Sequence, residues 1–201
     1  MAAAPKTLVR CAWPKASNAL YVSYHDTEWG VPEYDSRALF EKLILDGAQA
    51  GLSWETILNK RESYRAAYQG FEPARIARYG ERDVARLLAD AGIVRNRLKV
   101  AASITNAKAY LALEKTEGSF SRWLWKFVDG KQVVNKFARH GGIPARTDLP
   151  DRLAEELQRR GSTFARRAMV AAYMQSSGLV HDALGDCFPH APLDTLDTQA
   201  A

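Results

Sequence analysis

The spacing of apolar residues is the feature that most constrains how this chain can fold. Over most of its length apolar side chains recur every three or four residues, and alternation of β-branched residues almost nowhere persists for the length of a strand. After Asp35, one such stripe consists of Leu39, Phe40, Leu43 and Ile44. A stripe of this kind is typical of a helix packed on a core. We therefore predict a mainly α fold.

Cap and turn residues divide this periodic sequence into helices. Asp35 and Ser36 are good cap residues for a helix that ends at Gly51, and Ser53 can cap a helix that runs over residues 54–68. Further helices are expected near residue 73 and over 82–92, 96–115, 123–128, 150–160 and 163–176.

The length and the two ends of the chain bound its organisation. A chain of 201 residues can bury one real core, so we expect a single unit with a globular region over 10–190 and a disordered tail over about 191–201. Residues 130–144 are rich in turn formers and are expected to form an irregular loop. The start of the chain lacks the apolar stretch of a signal peptide, and no run of about 18 apolar residues exists, so we expect a cytoplasmic protein without a membrane partner.

The basic residues are compatible with a nucleic-acid partner without requiring one. The net charge is +5, and "GIVRNRLK" places Arg95, Arg97 and Lys99 at a turn between two helices, where Asn96 can cap the second. Such a hairpin can hold a DNA phosphate on the backbone amides of a helix N-terminus. Two other basic pairs, at 159–160 and 166–167, are more typical of solvated helix faces.

The N-terminal segment is unusually aromatic. It places Trp13, Tyr21, Tyr24, His25 and Trp29 within twenty residues and shows no helical stripe, so we expect an irregular conformation. One interpretation is a segment wrapped on the core, because aromatic side chains bury large areas. The other is a stacking pocket for a flat heterocycle, since every nucleobase offers a π-face. The residues alone leave both interpretations open.

Two strings in this region resemble a known family. "YHDTEWGVP" followed by "LDGAQAGLSW" resembles the signature of the 3-methyladenine DNA glycosylase I family, and the likeness extends from Arg10 through "AGIVRNRLK" to "GLVHDALGDCF". The resemblance implies a helix-hairpin-helix DNA glycosylase whose irregular N-terminal segment packs near the C-terminus. It also implies an enzyme that excises positively charged alkylated purines from double-stranded DNA and carries a structural zinc.

The same resemblance implies roles for residues of the aromatic segment and of the turn that follows residue 46. Tyr24 and Trp54 would stack the flipped base, and Gln49 would bind its edge. The pocket would be lined by Trp13, Tyr21 and Trp29, and the wedge that fills the space left by the flipped nucleotide would be Gly51 with Leu52.

The carboxylate before the glycine of this turn departs from the family pattern. The family usually has glutamate there, whereas this chain has Asp46. Aspartate keeps the charge but is one methylene shorter, so it must approach the base by a backbone shift or act through a water. We predict that Asp46 is the carboxylate that attracts a cationic base.

The zinc ligands also depart from the family pattern. Cys11, His25 and Cys187 match it, but Ala183 stands where a histidine is expected. His181 or His190 could supply the fourth ligand, because zinc accepts several spacings provided that the tetrahedron closes. The alternative is that the two thiols are simply buried and no metal binds.

Three functions remain open from the sequence. The first is a monofunctional glycosylase that releases 3-methyladenine by attack of water, since no lysine stands beside the carboxylate turn to form a Schiff base. The second is a relative that binds alkylated or distorted DNA without excision. The third is a hydrolase of free nucleosides, which would need neither the hairpin nor Leu52. No organic cofactor is expected, and the protein is expected to be a monomer.

Overall fold

The fold is mainly helical. A computed structural model describes residues 10–137, 148–163 and 165–184. Within these ranges there are ten α-helices and two short strands: α1 (Ala19–Thr27), α2 (Ser36–Gln49), α3 (Trp54–Asn59), α4 (Arg61–Ala67), α5 (Pro73–Ile76), α6 (Glu81–Ala89), α7 (Arg97–Glu117), α8 (Phe120–Trp125), β1 (Val133–Phe137), α9 (Leu149–Arg159), α10 (Arg167–Ser176) and β2 (Val180–Leu184). The predicted mainly α class is confirmed.

Side-chain caps fix where several helices begin. Asp35 accepts a hydrogen bond from the backbone N–H of Ala38, and the Ser53 hydroxyl accepts one from Thr56. Asn96 accepts from two amides of the first turn of α7, as its position in the sequence predicts. These bonds satisfy amides that have no partner inside the helix, so short polar residues stop the preceding turn and start the helix.

Two helical expectations were wrong in detail. The N-terminal segment is not irregular throughout, because Ala19–Thr27 forms α1, capped by Asn18. Residues 54–68 form two short helices instead of one, since the chain leaves regular helical geometry at Lys60 (φ −99°, ψ −1°) between α3 and α4. In α1, Tyr21, Tyr24 and His25 lie on one face against Trp13, but three residues in a nine-residue helix are too short a run to mark the helix in the sequence.

The irregular loop predicted over 130–144 is also partly wrong. Residues 133–137 form β1, which pairs in parallel with β2 in the register Val133↔Val180. Two five-residue strands so far apart in sequence leave almost no periodic signal. The strand pair forms only through a tertiary contact, which local sequence does not encode. The remainder of that loop and the predicted disordered tail over 191–201 lie outside the described residues.

The core is built around α2. Leu39, Phe40 and Leu43 are almost fully buried and belong to one continuous apolar cluster with residues of α7, α8 and α10. The Tyr173 hydroxyl of α10 donates to the Leu39 carbonyl at 3.1 Å, which ties α10 to α2 inside the core. Because α2 is held on several sides, polar side chains on its remaining face occupy fixed positions.

The segment that follows α1 packs against the C-terminal part of the chain, as predicted. The Gln132 side chain donates to the carbonyls of both Gly30 and Gly178, at 2.8 and 2.9 Å. Gly178 has φ +75°, and a Cβ atom there would lie 2.4 Å from the Pro32 nitrogen. Only glycine allows the two segments to approach so closely.

No helix within the described ranges is long and apolar enough to span a membrane.

Candidate active site

The aromatic side chains of the N-terminal segment form one cluster. The ring centroid of Trp13 lies 5.2 Å from that of Tyr21, 4.9 Å from that of His25 and 5.4 Å from that of Trp29. Helix α1 carries two of these rings, and Trp13 folds back over them. The cluster gives α1 a packed face and at the same time leaves a concave surface toward α2 and α3.

Tyr24 and Trp54 meet at the inner edge of this cluster. Their ring centroids are 5.3 Å apart with an interplanar angle of 46°, which is a direct aromatic contact. A base can therefore stack against this pair but cannot enter between the two rings unless they move. Burial raises the pKa of the Tyr24 phenol well above its ordinary value, so the ring stays neutral.

The cluster opens into a cavity of about 190 Å³. The cavity brings together seven of the predicted site residues, together with residues of α10: its lining is Trp13, Tyr21, Tyr24, Trp29, Lys42, Asp46, Gln49, Trp54, Ala172, Gln175 and Ser176. Aromatic walls combined with polar side chains suit a flat, partly polar ligand.

Asp46 lies at the bottom of this cavity. It is 4% exposed, although it belongs to the last turn of α2. Its Oδ1 atom accepts a hydrogen bond from Lys42 Nζ at 2.8 Å, and its Oδ2 atom accepts one from the Ser176 hydroxyl at 3.2 Å. Desolvation raises the pKa of the Asp46 carboxyl, while the Lys42 ammonium opposes that rise.

Lys42 is the functional residue that sequence reasoning missed. Its ammonium lies 3.7 Å from the centroid of the Trp54 ring and 5.7 Å from that of Tyr24, in addition to its bond with Asp46. Burial lowers the pKa of the Lys42 amine, while Asp46 opposes that change. A lysine therefore does stand beside the carboxylate, one helical turn earlier, and the expectation that none does was wrong. The signal was available, because residues i and i+4 of a helix face the same side.

The turn after α2, here called the rim, lines a groove that shares Asp46 and Gln49 with the cavity. Gly51 has φ +77°, and Leu52 next to it keeps 43% of its surface exposed. The ammonium of Lys99 donates to the carbonyls of Ala48 and Ala50, both at 2.7 Å. These bonds fasten the rim to the start of α7, so the exposed leucine projects from a rigid support.

A second exposed apolar side chain lies beside this rim. Leu98 is 67% exposed, and it lines a groove of about 550 Å³ together with Leu52 and Arg166. The groove continues the rim toward the turn that precedes α7. Two exposed leucines and a cation therefore face the solvent next to the opening of the cavity.

The cations near the rim are available to a polyanion. Arg95 and Arg97 are exposed at the turn before α7 and have no acidic partner among the described residues. In contrast, both members of the basic pair at 159–160 bind Glu156, with nitrogen-to-oxygen distances of 2.7 and 2.6 Å. Arg167 in turn binds Asp151 at 3.0 Å.

The predicted zinc ligands fall partly outside the described residues, since Cys187 and His190 do. Cys11 is half-buried and is not a free thiol in this structure. The rings of His25 and His181 each lie 6.1 Å from the ring of Trp29, so both of these predicted ligands border Trp29. His25 Nδ1 lies 2.9 Å from an Asp26 carboxylate oxygen, a contact that often orients a metal-binding histidine. Within the described ranges no cluster of three His, Cys, Asp or Glu side chains could hold a metal.

Comparisons with known proteins give a consistent result. The family model described as methyladenine glycosylase matches residues 13–190. The DNA-3-methyladenine glycosylase of Haemophilus influenzae is 45% identical over 178 residues, which cover 89% of this chain and 96% of that protein. A crystal structure of 3-methyladenine DNA glycosylase I matches with a TM-score of 0.85 at 48% identity, covering 90% of this chain and 99% of the other. A variant of 3-methyladenine DNA glycosylase I in complex with 3-methyladenine also has a TM-score of 0.85, at 35% identity, over 90% of this chain and 98% of the other.

Proposed function

This chain belongs to the methyladenine glycosylase family, and on that premise we propose that it excises 3-methyladenine from double-stranded DNA. The resemblance read from the sequence is thereby confirmed at the level of the family. The observation that supports the activity most directly is the ammonium of Lys42, which rests on the Trp54 ring and on the Asp46 carboxylate. The pocket already holds a cation by the two interactions that would hold a cationic purine.

Recognition of the base would follow from the same two interactions. Alkylation at N3 gives the purine ring a positive charge, and an aromatic face attracts a cation by about 2 kcal/mol or more when both are desolvated. A neutral base gains no such attraction. The flipped base would stack on the pair of Tyr24 and Trp54, with its edge toward Asp46 and Gln49, which line the same cavity. Lys42 must then yield its place on the ring, and its lowered pKa favours loss of its proton when a second cation enters.

Release of the base would be a hydrolysis without a covalent enzyme intermediate. A cationic purine leaves the sugar as a neutral molecule, so the bond can break without prior protonation of the base. Water then adds to the oxocarbenium-like sugar carbon and leaves an intact abasic site. In this scheme the carboxylate of Asp46 stabilises positive charge in the transition state, and the aromatic walls exclude bulk water.

DNA would bind across the rim of the cavity. Leu52 projects beside the opening and is suited to fill the space that the flipped nucleotide vacates. The turn between α6 and α7 carries Arg95, and Arg97 is the first residue of α7, so two exposed cations lie near the same rim. Phosphate contacts of this kind make binding depend on salt. We propose that this turn is the hairpin of a helix-hairpin-helix motif.

Zinc would be a structural group that joins the two ends of the chain. Cys11, His25 and Cys187 would hold it, and His181 is the fourth ligand that we favour, because its ring packs against Trp29 as that of His25 does. A bound zinc links segments and thereby adds its binding energy to folding. The test is the zinc content and the free-thiol count of protein purified under reducing conditions. One zinc per chain that is lost in Cys11→Ser supports the site, whereas a disulfide without metal contradicts it.

The experiment that tests the activity measures released bases. Purified protein is incubated with methylated duplex DNA, and the soluble products are separated by chromatography for the wild type, Asp46→Asn and the control Asp129→Asn. Asp129 is exposed and does not line the cavity. We expect 3-methyladenine from the wild type and the control, and much less from Asp46→Asn.

Other outcomes would support the alternatives. DNA binding without release would favour a protein that recognises alkylated or distorted DNA without excision. Hydrolysis of free nucleosides with no dependence on duplex DNA or on salt would favour a nucleoside hydrolase. Gel filtration and cell fractionation test the further predictions of a monomer in the cytoplasm.

A further inference from the structure

The groove beside the rim has a lining that recognition of the base does not explain. It measures about 550 Å³ and combines the rim with the start of α7 and the start of α10. Four of its apolar side chains are exposed and a fifth is half-buried; these are Leu52, Leu98, Ala168, Ala172 and Met169. Contiguous apolar surface that faces the solvent marks an interaction site more often than single exposed residues do.

Leu98 is the most exposed large apolar side chain in the described part of the chain, at 67%. Its backbone N–H donates to the Asn96 side chain at 3.0 Å, so the cap of α7 fixes its position. The leucine side chain takes no part in this cap, and a polar residue would serve the start of the helix equally well. Its place in the groove, together with Leu52, therefore indicates a ligand that covers it.

Arg166 supplies the accessible charge of the groove. It is exposed and forms no ion pair with a described residue, whereas its neighbour Arg167 binds Asp151 at 3.0 Å. The other ionisable residue in the lining is Asp46, whose side chain is 3% exposed and paired with Lys42. A ligand in the groove thus meets apolar surface and one free cation, which suits an apolar body that carries a negative charge.

The groove is continuous with the base cavity, because both are lined by Asp46, Gln49 and Ala172. A nucleotide whose base occupies the cavity stays joined to its neighbours by phosphodiester bonds. The strand must therefore leave the opening along the protein surface, and the groove gives it a path past the starts of α7 and α10. A deoxyribose with its phosphate has the apolar body and the negative charge that the lining suits.

We propose that the groove binds the nucleotide next to the flipped one on the damaged strand, with Leu98 against its deoxyribose and Arg166 on its phosphate. The proposal rests on the proposed function, since it takes the base cavity as the place of the flipped base. A guanidinium can bind phosphate oxygens through two hydrogen bonds. Deoxyribose also lacks the 2′-hydroxyl that an apolar wall would leave without a partner. Leu98 and Arg166 are then positioning residues, which hold the strand and do not touch the base.

The test measures binding of the full-length protein to a short duplex with one tetrahydrofuran nucleotide, an abasic analogue that has no base to release. The proteins are the wild type, Arg166→Gln, Leu98→Ala and the matched controls Arg122→Gln and Leu111→Ala. Arg122 on α8 and Leu111 on α7 are exposed and line neither the groove nor the base cavity. Melting temperatures show whether each variant is folded.

The two variants should differ in their dependence on salt. Arg166→Gln should weaken binding about tenfold, the scale of one hydrogen bond to a charged group, and lower the slope of log affinity against log salt by about 0.9. Leu98→Ala should also weaken binding about tenfold, because it removes apolar contact worth about two methylene groups. It should leave the slope unchanged, since an apolar contact releases no counterion from the DNA. Both controls should match the wild type.

Neutral methylphosphonate linkages, introduced one at a time near the tetrahydrofuran, locate the contact. Wild-type binding should weaken when a phosphate of the neighbouring nucleotide is neutralised. Arg166→Gln should not respond to that replacement, although it should still respond at phosphates bound elsewhere. Such non-additivity at one phosphate identifies a direct contact, whereas a purely structural role would lower affinity by the same factor at every position.

Each outcome separates this proposal from the proposed function. Losses that multiply at every phosphate overturn the groove contact, as does wild-type affinity in both variants, which is the result expected of a groove for another protein. The proposed function survives either result if the wild type releases 3-methyladenine from methylated DNA. The expected binding pattern without release of any base supports the groove and contradicts the proposed function. A wild type that neither binds the duplex nor releases a base overturns both.

Discussion

The buried pair of Lys42 and Asp46 makes a quantitative prediction about stability. Asp46→Asn removes the anion and leaves the Lys42 ammonium among aromatic rings with only neutral hydrogen-bond partners. Removing one partner of a buried ion pair costs about 3–5 kcal/mol. Because Lys42 borders two cavities and its side chain is 16% exposed, we expect the lower end, about 3 kcal/mol. For a domain of this size that loss lowers the melting temperature by about 6–12 °C.

The cost also has an upper bound. The unpaired amine can release its proton, and doing so at a pH of about 7 from an ordinary pKa of 10.5 costs about 5 kcal/mol. In Asp46→Asn the pKa of Lys42 in the folded protein is depressed, so the folded state binds fewer protons than the unfolded state. The stability of this variant therefore falls as the pH drops below 10.5, because the unfolded chain takes up the proton that the folded chain lacks. The difference in stability between the wild type and Asp46→Asn should therefore become smaller as the pH approaches 10.5.

The assay is urea denaturation of the wild type, Asp46→Asn and a double variant at about pH 7 and about pH 9.5, on either side of most of the expected change in stability. Lys42→Met combined with Asp46→Leu replaces the pair by apolar side chains, and such replacements are often neutral or stabilising. We therefore expect the double variant to be more stable than Asp46→Asn. If Asp46→Asn lowers the free energy of unfolding by less than about 1 kcal/mol at both pH values, the pair of Lys42 and Asp46 is solvated and the expected cost of breaking it is wrong.

Three further predictions concern other parts of the molecule. Leu52→Ala should lower the rate of excision from duplex DNA about tenfold and change the rate on single strands much less, because a wedge acts only where a flipped nucleotide leaves a gap in the base stack of a duplex. Excision rates on both substrates test this. Gly178→Ala should destabilise the protein by several kcal/mol, since its Cβ would meet backbone atoms at 2.4 Å and its φ is +75°, and equal thermal stability would contradict that contact. The hydrogen bond from Arg159 is the main cause that lowers the pKa of Glu156 to about 2, so the Glu156 carboxylate stabilises the fold above its ordinary pKa of 4.5 and this contribution is lost as the pH falls toward 2. Glu156→Gln should therefore make stability depend less on pH in an acid denaturation experiment. The effect should stay below about 1 kcal/mol, because the pair of Glu156 and Arg159 is largely solvated.

The sequence predicted most of the helical framework because the signals for it are local. Asp35, Ser53 and Asn96 were recognised as caps, and each accepts hydrogen bonds from the first turn of its helix. Caps and apolar stripes depend on neighbours within one or two turns, so the order of residues along the chain contains them. Helix α1 was not predicted because its helical spacing is confined to three aromatic residues, Tyr21, Tyr24 and His25, in a nine-residue helix.

The composition of the site was also accessible from the sequence, but its electrostatics were not. The motif pointed to Asp46 and to the aromatic residues, and the structure gathers them around one cavity. The i, i+4 spacing of Lys42 and Asp46 already indicated their pairing, but the motif could not reveal that the Lys42 ammonium rests on Trp54. That contact involves α2 and α3, whose mutual packing the sequence does not specify.

The sequence by itself therefore determined the class of fold, the boundaries of most helices and the family, because capping, periodicity and motif spacing are properties of contiguous residues. Only the tertiary structure decided the pairing of β1 with β2, the contact of Gly178 with the N-terminal segment and the charge state of the pocket. Each of these joins elements far apart in the chain or depends on how they pack, and its free energy depends on burial and distance, which exist only after the chain has folded.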